Sequence, residues 1–333
     1  MKTINKYIYL FAAAAFFIFS HSVLGQNEKP YALPDKYVKI SEPGLLYVCH
    51  ITHDFVSVID TKTNGLIGKI PCGNGSTGIC FSPDKKTGYI TSWNSNDLTI
   101  FDTKTNKTIE TVAAGTHPVE MLVVQNGKYI LISHESSDGT MILNTENNRI
   151  VNRLRECTGP LYLLDNKIYQ PQIFISYYKI IDPLTLEVEK SVETGGRPMS
   201  LAFINNNEFA YLANFDSSEV SKIDVKTDSI VKKIKNIKNP RGIASRPDSK
   251  YIYATNVTDN TITVINTAAD TVETIIYGFK MPVYVVFSPD NKFAYVANQG
   301  QATISIINTE TYKIIKVIDV ADNPIYLYLD SGS

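Results

Sequence analysis

Seven copies of one unit run through the chain in register, and this repetition governs every other reading. An Asp or Asn directly after an apolar residue recurs at Asp60, Asp102, Asn144, Asp182, Asp224, Asn266 and Asn308, spaced 42, 42, 38, 42, 42 and 42. An anchor Pro at Pro118, Pro160, Pro198, Pro240, Pro282 and Pro324, extrapolating back to Ser76 and Pro34, repeats those intervals. So does a third anchor at Tyr47, Tyr89, Leu131, Tyr169, Tyr211, Tyr253 and Tyr295. The fourth unit is short because Pro160 to Tyr169 is 9 residues where its siblings have 13. There Asp165-Asn166 replaces the Ser-Pro-Asp turn of Ser82-Pro83-Asp84, so the loss lies in one hairpin.

Within each unit, alternating runs rich in Val, Ile, Tyr and Phe, such as Phe293-Ala294-Tyr295-Val296-Ala297, are separated by Pro-Asp, Asn-Gly and Asp-Thr-Lys-Thr turns. That pattern predicts four antiparallel strands, A to D, per unit. Seven such units give an all-β chain, a seven-bladed β-propeller of four-stranded blades. Both Lys36-Tyr37-Val38-Lys39-Ile40 and Ile325-Tyr326-Leu327-Tyr328-Leu329 are copies of strand A. The second is the more apolar, so the expectation is that a C-terminal strand closes the ring as a clasp.

The chain of 333 residues carries 32 Lys plus Arg against 33 Asp plus Glu, which leaves no basic footprint for nucleic acid. Residues 1–25 hold Lys2 and Lys6, an apolar run from Tyr7 to Phe19 and a small residue, Gly25, before Gln26. They read as an export signal cleaved after Gly25, with no lipoprotein cysteine following and no later segment long enough to span a membrane. The expected organisation is therefore a signal peptide at 1–25, an N-terminal extension at 26–33 and one propeller domain at 34–333, with the mature protein periplasmic or extracellular. Cys49, Cys72, Cys80 and Cys157 match neither a disulfide framework nor a zinc site; free thiols and one Cys49–Cys80 bridge are both admissible.

The run Ser288-Pro289-Asp290-x-x-Phe293-Ala294-Tyr295-Val296-Ala297-Asn298, followed by Thr303-Ile304-x-Ile306-Ile307-Asn308-Thr309, resembles the YVTN-type seven-bladed propeller repeat over essentially the whole mature chain. The resemblance implies the fold and an exported or surface-layer-like setting. Its motif residues are structural and leave activity open. Similar proteins include capture proteins for corrinoids and siderophores beside outer-membrane transporters, and, more distantly, lactonases, lyases and quinoprotein or haem-d1 enzymes.

Function is then sought where the copies depart from one another. The D–A and B–C loops share one face, the top. Two positions after the anchor, strict alternation would point Gly78, Glu120, Tyr162, Ser200, Gly242, Tyr284 and Tyr326 into the channel, a polar and aromatic ring suited to a flat or hydroxylated ligand. One position before it stand His117 and Arg197, and Arg241 follows Pro240; the arginines would hold anionic groups. His50 and His134 replace the Asn of the repeat, as hydrogen-bonding side chains set too far apart for a shared metal ion. Trp93, the one tryptophan, and the loop Gln172-Ile173-Phe174-Ile175 offer apolar tips. Gly73-Asn74-Gly75-Ser76-Thr77-Gly78 mimics a dinucleotide fingerprint but leads into a strand, so nucleotide binding is rejected.

No nucleophile elbow, His-Glu-x-x-His or Cys-x-x-Cys-His is present. The expectation is accordingly a non-catalytic propeller that binds a small molecule, such as a corrinoid or siderophore, or a protein partner at the top mouth, with no assigned cofactor. Its ligand residues would be Trp93, His117, Glu120, His134, Tyr162, Arg197, Arg241, Tyr284 and Tyr326. The alternatives are a propeller enzyme of lactonase, lyase or quinoprotein or haem-dependent type, with Glu120 and His117 as acid–base pair, and a structural interaction protein.

Overall fold

The computed structural model describes residues 44–330, apart from 137, 156, 205 and 206. The expected signal, the extension and the strand copy at Lys36–Ile40 lie outside the described residues. Seven four-stranded antiparallel sheets, almost without helix, form the blades of a β-propeller. Blade 1 is completed by the C-terminal strand Pro324–Asp330, paired to Leu45–His50 from Leu45↔Asp330 to Cys49↔Tyr326, so the C-terminal clasp stands as expected. The remaining first strands are Ser76–Phe81, Pro118–Val124, Tyr162–Leu164, Pro198–Ile204, Pro240–Ser245 and Pro282–Phe287 in blades 2 to 7. Neighbouring first strands pack on one another around the axis, blade 2 on 3, 5 on 6, 6 on 7, 7 on 1 and 1 on 2.

Burial grades outward across each blade. The second strands, such as Leu45–His50 and Phe209–Asn214, are almost wholly buried because both faces meet adjacent blades, whereas fourth strands such as Lys107–Ala113 are mostly exposed. The repeated tyrosines supply much of the packing: Tyr47, Tyr169, Tyr211, Tyr253 and Tyr295 are fully or nearly fully buried. Two also hydrogen-bond across blades, Tyr169 donating to Asp228 at 2.8 Å and Tyr211 to Asp270. The Asp-Thr pair does two jobs. Asp102 accepts the Thr105 N–H at 2.7 Å inside its own turn, while the Thr103 hydroxyl donates to the Lys85 carbonyl at 2.7 Å in the A–B hairpin of the same blade. All four cysteines are free thiols.

Bulges set the blade geometry. In every blade the third and fourth strands slip register next to the residue preceding the repeated Asp or Asn, as at Val58/Ile59 and Ile306/Ile307. A second bulge follows the anchor position on the first strand of blades 1, 2, 3, 5, 6 and 7. Such an insertion re-aims side chains and breaks strict alternation, and here it falls at the channel wall.

Candidate functional site

The top mouth is laced by one recurring backbone bond. The residue after the second strand donates its N–H to the carbonyl of the residue before the anchor: Trp93 to Gly75 at 2.7 Å, Glu135 to His117 at 3.0 Å, Phe215 to Arg197 at 2.8 Å and Gln299 to Met281 at 3.0 Å. This bond brings the D–A and B–C loops together and sets two columns of side chains, one from each loop, beside each other around the channel.

Because of the first-strand bulge, residues both one and two after the anchor approach the channel, so Arg241 joins Glu120 although they occupy different repeat positions. Arg241 comes from blade 6 and Glu120 and Glu135 from blade 3, and the guanidinium acts electrostatically on both carboxyls. Burial pushes the Glu120 carboxyl up to about 8, against Arg241 and helped by Glu135. Burial also raises Glu135, but Arg241 and the neighbouring Trp93 indole oppose the rise. Arg241 is itself lowered by burial, with both carboxyls resisting and Arg197 adding to the effect. The three form a half-buried charge cluster with more acid than base.

Tyrosines line the same level. Tyr284 and Tyr326 sit with ring centroids 4.8 Å apart and interact through their hydroxyls, and both feel Glu120. Tyr162 reaches Ser200 and the Leu201 backbone of the next blade, and burial lifts its phenol well above the ordinary range. Ser200 in turn donates to the Arg241 carbonyl. Two ring positions are glycine for a packing reason: a Cβ on Gly78 would stand 2.6 Å from the Val119 carbonyl, and one on Gly242 2.5 Å from that of Val283.

At the rim Trp93 and His117 lie face to face, centroids 3.7 Å apart and 8° from parallel. Trp93 is 7% exposed, which corrects its expected place as an exposed loop tip. Burial and His134 lower the His117 pKa. Arg197 stacks on Phe215 with its guanidinium carbon 4.7 Å from the ring centre and pairs with Asp216 at 3.1 Å. His134 stands apart from this group: it is fully buried, with Nδ1 2.7 Å from the Gly139 carbonyl and Nε2 on the Ala114 carbonyl. Burial favours the neutral ring, whose single N–H donates to one of these carbonyls, and with no exposed surface His134 presents nothing to a ligand.

The structure thus gathers Glu120, Tyr162, Arg241, Tyr284 and Tyr326 in the channel with Trp93, His117 and Arg197 above them, and sets His134 aside. Glu135 escaped the sequence reading. Its signal was there in the column after the repeated Asn, which reads Ile51, Trp93, Glu135, Ile173, Phe215, Val257 and Gln299 and holds one acid.

A family model described as "Lactonase, 7-bladed beta-propeller" matches residues 175–319, from the B–C loop of blade 4 to the outer strand of blade 7. No curated protein matches the chain. Among solved structures, Kuenenia stuttgartiensis hydrazine synthase is 14% identical with a TM-score of 0.71, over 86% of this chain and 99% of that one. A candidate 6-phosphogluconolactonase from Bacteroides uniformis is 17% identical, TM-score 0.70, over 86% and 99%. Another from Bacteroides fragilis is 18% identical, TM-score 0.68, over 88% and 99%. At such identities the structural likeness carries the fold alone. The lactonase match overturns the expectation of a non-catalytic binder, and the enzyme reading takes its place.

Proposed function

We propose that the protein is a propeller enzyme, built on a YVTN-type repeat, that hydrolyses a cyclic ester at the top mouth of its channel. The observation that carries this reading is the half-buried Glu120–Glu135–Arg241 cluster, two carboxyls in unlike surroundings beside one guanidinium. Such a pair divides into acid and base when its environments push the two pKa values apart. The lactonase match over residues 175–319 supports the same reaction class.

Glu135, whose rise Arg241 opposes, serves as the base of the pair and takes the proton of an attacking water. The water oxygen bonds to the ester carbon, and Arg241 stabilises the negative charge that develops on the carbonyl oxygen. Glu120, protonated below about 8, gives its proton to the ring oxygen as the carbon–oxygen bond breaks. The product is a hydroxy acid, and the proton on Glu135 returns to Glu120 by way of solvent. Tyr162, Tyr284 and Tyr326 supply flat contact area with hydroxyl tips for the substrate ring. Residues 1–25 would export the enzyme, residues 26–33 would form an extension and 34–333 the propeller, placing the reaction outside the cytoplasm.

The test is acid release from a panel of γ- and δ-lactones. Glu120→Gln is expected to lower kcat by about 10²–10⁴-fold with KM little changed. Wild-type turnover is expected to fall as pH rises through about 8, where Glu120 loses its proton. Hydrolysis no faster than buffer across the panel, or undiminished turnover in Glu120→Gln, defeats the proposal.

A further inference from the structure

The fourth strand of each blade is paired on one side only, so the rim of the propeller is a row of open sheet edges. Two neighbouring edges differ sharply in charge. In blade 4 the outer strand Val188–Glu193 and the residue before it carry Glu187, Glu189 and Glu193 against Lys190 alone. In blade 5 the outer strand Ser229–Lys235 carries Lys232, Lys233 and Lys235 and no acid. All of these side chains are exposed, and the aliphatic Val188 and Val231 stand exposed among them. Part of the charge is used within the chain: Lys233 pairs with Glu219 at 2.8 Å, and Lys232 approaches Asp270 at 4.0 Å. Lys190 donates to the Thr227 and Asp228 carbonyls at 3.1 and 3.3 Å, which ties the acidic edge to the turn that leads into the basic one. Glu187, Glu189, Glu193 and Lys235 form no salt bridge with another described residue.

The two edges thus make one patch of two signs, and such a patch can meet a second copy of itself about a two-fold axis in two ways. With the axis along the rim, blade 4 meets blade 4 and blade 5 meets blade 5, so glutamate faces glutamate and lysine faces lysine. With the axis parallel to the channel, blade 4 of each copy meets blade 5 of the other, and the charges are opposite at both contacts. That rotation preserves height along the channel, and Glu193 and Lys235, one repeat of 42 residues apart, stand at equal height on their blades. Like-charge repulsion disfavours the first arrangement and attraction favours the second. We propose that the protein forms a two-fold dimer through the outer edges of blades 4 and 5, each acidic edge on the partner's basic one, with both top mouths opening on the same side. Val188 and Val231 supply apolar contact inside the charged frame. A second copy fits better than an unlike partner, because symmetry supplies both signs in the matching order. The inference is independent of the enzyme reading.

The test is sedimentation velocity of the full mature protein over a concentration series at low ionic strength. The expected result is a monomer–dimer equilibrium that weakens with added salt. Three variants read the contacts: Lys232→Glu with Lys235→Glu, Glu189→Lys with Glu193→Lys, and all four changes in one chain. Each two-site variant is expected to weaken the dimer about tenfold or more, since both attractive contacts become repulsive. The four-site variant inverts the patch and is expected to recover the wild-type equilibrium, a result that damage to the fold could not imitate. Circular dichroism melts of all three are expected to match the parent. A wild-type protein that stays monomeric throughout the series overturns the proposal. So does a dimer that both two-site variants leave intact, or one that the four-site variant fails to restore. Monomers that bind a polyanion such as heparin through Lys232 and Lys235 would give the basic edge another occupant and equally overturn it.

Discussion

At the end of the second strand in blades 5, 6 and 7, the amides of Asn214, Asn256 and Asn298 donate to hydroxyls seven residues on, Ser221, Thr263 and Ser305, at 2.7–2.8 Å. His50 fills that place in blade 1, its Nε2 2.8 Å from the Ser57 hydroxyl and its Nδ1 3.3 Å from the Asp322 carbonyl. Full burial, with His53 adding repulsion, lowers its pKa to about 3. A folded-state pKa below the ordinary 6.5 means that the unfolded chain binds the extra proton first. Stability is thus complete above pH 6.5 and drains away as pH falls toward 3, by about 1 kcal/mol per pH unit. His50→Asn keeps the bond to Ser57 and deletes the titration. Its melting temperature is expected to fall less between pH 7 and pH 4 than that of the wild type; equal falls in the two proteins refute the assignment.

At the level of strands, the repeat was legible from the sequence because its anchors are residues whose packing and turn roles recur in each copy. Tyr169 and Tyr211 must fill the gap between blades, and the Asp-Thr pair must close one turn and tie another. Even the clasp followed from comparing two short apolar runs. The wall of the site was less legible, since alternation places Arg241 and Glu120 on opposite faces and only the bulge behind the anchor brings both to the channel. A bulge leaves no mark in hydrophobic period. His134 was misread for a similar reason: its two carbonyl partners, Ala114 and Gly139, belong to loops whose approach no spacing reveals. The glycines of the ring carry a testable share of this geometry. Gly242→Ala drives a methyl against the Val283 carbonyl and the Tyr284 backbone, and is expected to cost about 1–3 kcal/mol by urea denaturation. An unchanged midpoint would mean that the first strands of blades 6 and 7 part without penalty.

Across the whole molecule the seven blades share one channel, and blade 1 is assembled from both ends of the described chain. The clasp strand contributes Tyr326 to the channel, and Asp330 ties it to blade 2 through Lys85 at 2.9 Å. Removing residues 324–333 strips blade 1 of its first strand and the channel of one wall. The expected outcome is loss of the cooperative thermal transition and a larger hydrodynamic radius on gel filtration; a truncated protein that melts like the parent contradicts the role given to the clasp. Blades 2 to 7 are each made of hairpins local in sequence, whereas the pairing of Leu45 with Asp330 joins residues from opposite ends of the propeller. Closing so long a loop is the slowest kind of contact to find. The blades built from local hairpins can form first, and the ring comes into being only when residues 324–330 reach the strand at Leu45–His50.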